Sequence, residues 1–193
     1  MAITVGGRVQ TDPTTDAAFR EVYAATFDEV RRFCLRRLPV SDVNDAVSEV
    51  YLVAWQKADE IPRGDEALRW LYGVARNVVR HTERSNRRRL RLTAKAMREP
   101  TSTVLGPEMQ VVRHSDDEAL ATAIGRLSES DQEVIRLRGW EDLNAPAIAQ
   151  VLGCSVSAAE KRIARAFKRL EKKLRTRNGV TTGQGTVTKR GEA

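Results

Sequence analysis

The stretch Asn144-Ala145-Pro146-Ala147-Ile148-Ala149-Gln150-Val151-Leu152-Gly153-Cys154-Ser155-Val156-Ser157-Ala158-Ala159 decides how this chain folds. Asn144 is a good helix N-cap, and Pro146 suits the first turn after it, where a missing N–H costs no hydrogen bond. A short helix through Leu152 meets the tight turn Gly153-Cys154-Ser155, and Ser155 caps a longer helix. Ile148, Ala149, Leu152, Ala159 and Ile163 are placed to form the small core that fixes the crossing of the two. This is the pattern of a helix-turn-helix, whose second helix projects N-terminal side chains into a major groove. An ordinary helical hairpin with a solvated basic face is the alternative. Charge favours DNA binding: Ala159, Ile163, Ala166, Leu170 and Leu174 line one side of the long helix, with Lys161, Arg162, Arg165, Lys168, Arg169 and Lys172 around the rest.

That basic helix is one of two. The 193 residues carry 33 Lys+Arg against 26 Asp+Glu, a net charge of +7. Residues 161–177 hold nine basic residues against one acidic, and residues 76–98 hold nine against one, so these blocks supply more than the whole excess. Each follows a segment that is net acidic and apolar-patterned. Two separate contacts with a polyanion are the simplest reading.

Upstream, residues 1–15 are polar, with Gly, Thr and Pro, and read as a disordered arm. From Asp16, the positions Phe19, Val22, Tyr23, Thr26, Val30, Phe33, Cys34 and Leu38 recur at three- and four-residue steps, predicting an amphipathic helix that Pro39 stops. Ser41 is placed to cap a second helix, with Asp42 and Asp45 in its first turn and Val43, Ala46, Val47, Val50, Tyr51 and Ala54 as its buried stripe. After the loop Ile61-Pro62-Arg63-Gly64-Asp65, a third helix carries Leu68, Leu71, Val74, Ala75, Val78 and Val79 and continues into the basic block. Trp70, Asn77, His81 and Arg84 share another side of it. An aromatic ring, an amide and arginines on one face can meet unpaired bases as well as phosphates, although a core Trp beside a nonspecific basic helix fits equally.

Residues 92–115, poor in large apolar groups and containing Pro100, Gly106 and Pro107, read as a flexible linker. Helices over Asp116–Leu127 and, capped by Ser128, to about Gly139 precede the helix-turn-helix. The Gly/Thr-rich tail 178–193 reads as disordered. No strand ladder or hairpin turn is evident. The predicted fold is all-α: two small helical domains, 16–91 and 116–177, joined by the linker, the second containing the helix-turn-helix.

Several classes drop out. No apolar run approaches the roughly 18–20 residues of a membrane span, and the opening MAITVGGRVQTDPTTD lacks a signal-peptide core, so a cytoplasmic chain is expected. Cys34 and Cys154 lack the neighbours of a zinc site and are expected to stay thiols, with no metal and no cofactor; a thiol switch at either is a minor reading. No phosphate-binding glycine loop or nucleophile motif is present, and His81 and His114 have no partner at motif spacing.

At this point the residues match a family. Asp42-Val43-Asn44-Asp45-Ala46-Val47-Ser48-Glu49-Val50-Tyr51-Leu52-Val53-Ala54-Trp55 resembles the core-binding segment DAEDLVQETFLRAW of extracytoplasmic-function (ECF) sigma factors of bacterial RNA polymerase. Ala67-Leu68-Arg69-Trp70-Leu71-Tyr72-Gly73-Val74-Ala75-Arg76-Asn77 resembles their WLYRIARN segment. Residues 127–138, LSESDQEVIRLR, and the helix-turn-helix resemble LPERQREVLLLR and AEIAEVLGIS. The resemblance covers about 17–175, in the family's order.

It implies a role for each segment. Domain 16–91 would be sigma domain 2, docking on the polymerase β′ coiled coil through Asp42, Asp45 and Glu49, whose spacing allows one acidic stripe. The third helix and its preceding loop would read the minus-ten element, separate the strands and capture a flipped base through Arg63, Gly64, Asp65, Trp70 and Asn77, with Arg80, Arg84, Arg87 and Arg88 on the backbone. Domain 116–177 would be sigma domain 4. Its last helix, from Ser155, would read the minus-thirty-five element with Glu160, Lys161, Ala164 and Arg165 toward base edges and Arg162, Lys168 and Arg169 toward phosphates. The two helices before the helix-turn-helix would sit on the β flap. The implied partners are core RNA polymerase, promoter DNA and an anti-sigma factor, without membrane insertion, and the chain would not be an enzyme.

Two departures bear on promoter choice. Pro62 stands where related loops often carry an aromatic, and Val156-Ser157-Ala158-Ala159-Glu160 replaces the usual EGTVK, so Glu160 either accepts from cytosine N4 or repels phosphate. From the residues alone, a free-standing helix-turn-helix regulator, or a metal-dependent nuclease using Asp42, Asp45 and Glu49 as oxygen ligands, are the alternatives.

Overall fold

In a computed structural model the backbone is described for residues 13–97 and 115–178, and side chains for 16–92 and 119–175. Most of the arm, linker and tail expected above therefore lies outside the described residues. Every regular element among those residues is helical, and they fall into two compact units.

The first unit is α1 (Pro13–Leu35), α2 (Val40–Gln56), a single 3-10 turn (Ala58–Glu60) and α3 (Asp65–Met97). The three α-helices pack pairwise around Val30, Phe33, Cys34 and Leu38, Val43, Val50 and Ala54, and Leu71, Tyr72 and Ala75. The buried stripe of α2 is the one its spacing predicts, residue for residue. On α3, Leu68 and Val74 are only partly covered, while Ala67 and Tyr72 are buried in addition. Tyr72 stacks on Phe33 with ring centroids 5.0 Å apart, and the Arg37 guanidinium lies 3.5 Å from the Phe33 centroid while Nη1 donates to the Phe33 carbonyl at 3.0 Å.

One member of the α1 stripe is polar. Thr26 is buried and donates to the Val22 carbonyl at 2.6 Å, so the Tyr51 hydroxyl, 2.9 Å away, must be the donor to Thr26 Oγ1. Burial pushes Tyr51 up to about 12 despite the Thr26 hydrogen bond, so it stays protonated and able to donate. Tyr23, placed in the same stripe by its spacing, is largely exposed and covers the edge of Tyr51, 4.5 Å between centroids.

Four boundaries of this first unit differ from the sequence reading. α1 begins at Pro13, because proline is at home in a first turn. It ends at Leu35, three residues before Leu38: the Cys34 carbonyl accepts from the N–H groups of both Arg37 and Leu38, closing the last turn, and Leu38 still reaches the core. Pro39, not Ser41, is the N-cap of α2, its ring holding φ at −56° with ψ at 145°. Ser41 lies inside the first turn and donates to Asp42 at 2.9 Å. Finally, α3 runs to Met97, through residues 92–97 that composition had assigned to the linker; leucine, alanine, lysine and methionine are strong helix formers by intrinsic propensity.

The second unit is α4 (Ser115–Gly125), α5 (Glu129–Gly139), α6 (Ala145–Leu152) and α7 (Val156–Asn178), with α7 packed on the other three. Ala123, Ile124, Leu127, Val134, Ile135, Ala166 and Leu170 form one core cluster, with Leu152 and Ile163 against it. α4 stops at Gly125, two residues short of the predicted end, and Leu127 turns back to donate to the Ile124 carbonyl at 2.9 Å. Among the described residues no helix is long and apolar enough to cross a membrane.

Candidate nucleic-acid interface

The turn between α6 and α7 is built from short-range hydrogen bonds. Asn144 Oδ1 accepts from the Ala147 N–H at 3.0 Å, and Ser155 Oγ accepts from the Ala158 N–H at 3.2 Å, so both helices are capped as their sequence requires. Gly153 takes the left-handed conformation (φ +62°), and the N–H groups of Gly153 and Cys154 donate to the carbonyls of Gln150 and Ala149, the closed hydrogen-bond pattern of a Schellman turn. Ala149 and Ala159 are both buried, so two small side chains let α6 and α7 approach closely.

Seen down α7, Ala159, Ala166 and Leu170 are buried and Ile163 partly so, whereas Ser155, Glu160, Lys161, Arg162, Ala164, Arg165, Lys168 and Arg169 are all exposed. Arg169 has a further task. It donates to Asp131 on α5 at 2.7 Å, and Asp131, only 8% exposed, also accepts from the Ser128 hydroxyl at 2.8 Å. Burial pushes the Asp131 carboxyl up, but the hydrogen bonds from Arg169 and Ser128 and the charges of Arg169 and Arg165 outweigh it and hold it below its usual range. Sequence reasoning missed Asp131, although Ser128 followed by a carboxylate three residues later was the available signal.

α3 repeats the design on a larger scale. Its 33 residues span about 50 Å. The core side ends near Val79, and Asn77, Arg80, His81, Arg84, Arg87 and Arg88 are exposed on another side, with Trp70 half-buried at its near end. Arg87 also lies 3.8 Å from Glu83, the one acid of the block. Arg63 and Gly64, the latter at φ +66°, form the exposed bend directly before Asp65 opens the helix.

The acidic stripe on α2 divides in two. Asp45 and Glu49 are exposed, but Asp42 is half-buried and accepts from Asn86 Nδ2 of α3 at 2.6 Å, a tie between helices that sequence reasoning did not anticipate. Leu52, one turn beyond Glu49 on the same side, is 56% exposed, an apolar side chain beside two free-facing carboxylates. Among the described residues no three His, Cys, Asp or Glu side chains gather as a metal site would need.

The chain matches the family model for sigma-70 region 2 over residues 22–89 and that for sigma-70 region 4 over residues 117–170. The RNA polymerase sigma factor NccH of Alcaligenes xylosoxydans xylosoxydans is 31% identical over 136 residues, which cover 69% of this chain and 73% of that one. This chain belongs to the ECF class of RNA polymerase sigma factors. Like the family, this sigma factor acts with core RNA polymerase on promoter DNA in transcription initiation. The sigma factor CnrH of Cupriavidus metallidurans is also 31% identical, over 145 residues covering 69% of this chain and 73% of its own. In fold, this sigma factor is similar to RpoE of Bartonella quintana, solved in complex with the anti-sigma factor NepR: TM-score 0.60, 22% identity, covering 81% of this chain and 96% of that one.

Proposed function

We propose how the work of initiation divides over the two units. In the first, Asp45 and Glu49 with Leu52 form the surface that docks on the β′ coiled coil, with Asp42 at its edge holding α2 to α3. The bend Arg63-Gly64-Asp65, with Trp70 and Asn77, captures an unpaired base of the minus-ten element, and Arg80, Arg84, Arg87 and Arg88 follow the phosphates of the opened strand. In the second, α4 and α5 sit on the β flap. Glu160, Lys161, Ala164 and Arg165 of α7 face base edges of the minus-thirty-five element, with Ser155 at the helix start and Arg162 and Lys168 on phosphates. Arg169 contributes chiefly through Asp131, by holding α7 on α5.

Residues 92–115 connect the two readers, and α3 supplies the first part of that connection. Polymerase carries out nucleotidyl transfer; this chain supplies recognition and opening, and works in the cytoplasm. An anti-sigma factor would act by covering the polymerase-docking surfaces.

One observation carries the reading: on α3 Arg80, Arg84, Arg87 and Arg88, and on α7 Lys161, Arg165 and Lys168, are exposed on a side that the core does not use. The test is transcription by core polymerase from a genome-wide promoter library. Transcripts that depend on this chain, and lose that dependence in Asp45→Ala/Glu49→Ala, support it. Tight duplex binding without any polymerase-dependent transcript would mark a free-standing regulator instead.

A further inference from the structure

Asn86 lies within the basic block of α3, yet it turns away from the arginines on either side of it. Its Nδ2 donates to Oδ2 of Asp42 at 2.6 Å, while Oδ1 of Asp42 accepts from the Ser41 hydroxyl at 2.9 Å. A carboxylate only accepts, so the amide nitrogen is the end of Asn86 that must face it. Asp42 is itself fixed in the first turn of α2, where its N–H donates to the Pro39 carbonyl at 2.9 Å. The contact therefore joins an anchored residue of one helix to a part of another that extends beyond its core.

Among the described side chains of α3 the last buried one is Val79, and Asn86 follows two turns later, about 10 Å along the axis. Asn86 is still partly covered, whereas every residue from 87 to 92 is exposed. Two residues along an α-helix turn a side chain by about 200°, so Arg84 and Arg88, each two residues from Asn86, point to nearly the opposite side. Both are exposed. Holding Asn86 against α2 thus sets the rotation of α3 at the level of these two arginines.

We propose that Asn86 is a positioning residue for the opened minus-ten strand: its hydrogen bond to Asp42 fixes the rotation of α3 and so aims Arg84 and Arg88 at the phosphates. This rests on the reading of α3 proposed above, and Asn86 itself touches no DNA. A guanidinium binds a phosphate only from a narrow range of directions, so the pair supplies aim where the arginines supply charge.

The test uses core polymerase saturated with the full chain, on a promoter whose transcript depends on the chain. Permanganate reactivity of unpaired thymines reads open-complex affinity over a range of salt concentrations. Asn86→Ala should weaken the open complex about fivefold. It should also flatten the salt dependence by roughly one phosphate contact, although the substitution removes no charge. In an Arg84→Ala/Arg88→Ala background the same substitution should cost less than about twofold, because Asn86 acts through those arginines. Asn86→Asp sets two carboxylates against each other and should weaken the complex about tenfold, while the swap Asp42→Asn/Asn86→Asp should recover to within about threefold of wild type. A swap as weak as Asn86→Asp alone overturns the proposal, since the new carboxylate would then be acting on DNA directly. So does an equal cost of Asn86→Ala in both backgrounds, the mark of a contact that only stabilises the fold. If Arg84→Ala/Arg88→Ala leaves the open complex unchanged, the reading of α3 fails and the proposal with it; a loss there with none from Asn86→Ala overturns the proposal alone.

Discussion

Arg169 of α7 donates to the carboxylate of Asp131 on α5 at 2.7 Å, and through that pair the second helix of the helix-turn-helix is held to the helix before the motif. The carboxylate is mostly buried while the guanidinium stays 58% exposed, so solvent screens the pair from one side only. Arg169→Ala should destabilise the second unit by about 1 kcal/mol, the value of a charge-assisted hydrogen bond reduced for that screening. Urea unfolding of the two proteins at neutral pH measures it.

The same pair sets a pH dependence. The Asp131 carboxyl is held below its ordinary value of 3.8 in the folded state. The folded state therefore binds this proton less readily than the unfolded one, and the pair stabilises fully above about pH 4. That contribution is lost as pH falls through the lowered folded value. The stability difference between wild type and Arg169→Ala should thus be constant from pH 7 to about 5 and shrink below 4. A difference that grows on acidification would contradict the assignment.

Gly153 is the position at which backbone conformation alone is at stake. It adopts φ +62°, and a Cβ added there would meet nothing within 4 Å, so a substitution is penalised by conformation rather than by collision. Gly153→Ala should cost about 1–2 kcal/mol. Gly153→Asn should cost less, because asparagine tolerates the left-handed region. Gly153→Val should cost the most. Chemical unfolding of the three variants gives the order, which a crowded site would not reproduce.

The α2 stripe predicts a separation of stability from docking. Asp42→Ala leaves Asn86 without its 2.6 Å acceptor and should lower stability by about 1 kcal/mol. Asp45→Ala/Glu49→Ala and Leu52→Ala alter exposed side chains and should leave thermal unfolding unchanged while weakening capture of core polymerase, Leu52→Ala by about tenfold if it is the apolar centre of the contact. Melting curves beside polymerase binding on an immobilised chain resolve the two effects.

The two cysteines should differ in reactivity. Cys34 is fully buried, and desolvation, only partly offset by the Arg37 charge, pushes its thiol up to about 11, whereas Cys154 is half-buried in the α6–α7 turn. A thiol-directed alkylating agent at neutral pH should modify Cys154 alone in the native protein and both in denaturant. Mass spectrometry reads the count directly, and native labelling of Cys34 would show that the first unit opens.

The helix-turn-helix was legible because everything that makes it is local. Asn144 and Ser155 cap helices three residues away, Gly153 closes a turn over five, and the apolar spacing of α2 and α7 settles which side of each helix faces inward. Such interactions are written in neighbouring residues, and the family's segments are recognisable for the same reason. The N-cap of α2 misled the reading because proline's own ring geometry stood in for the side-chain cap that Ser41 offered.

What only the tertiary structure decided are the pairs that join helices. Asn86 and Asp42 are 44 residues apart, Arg169 and Asp131 are 38 apart, and Thr26 meets Tyr51 across 25. No periodicity relates such residues; packing brings them together, and burial then makes each polar group require the other. The chain's order of residues therefore determined two basic helices and their faces. The fold decided which charges hold those helices in place and which are left exposed to solvent.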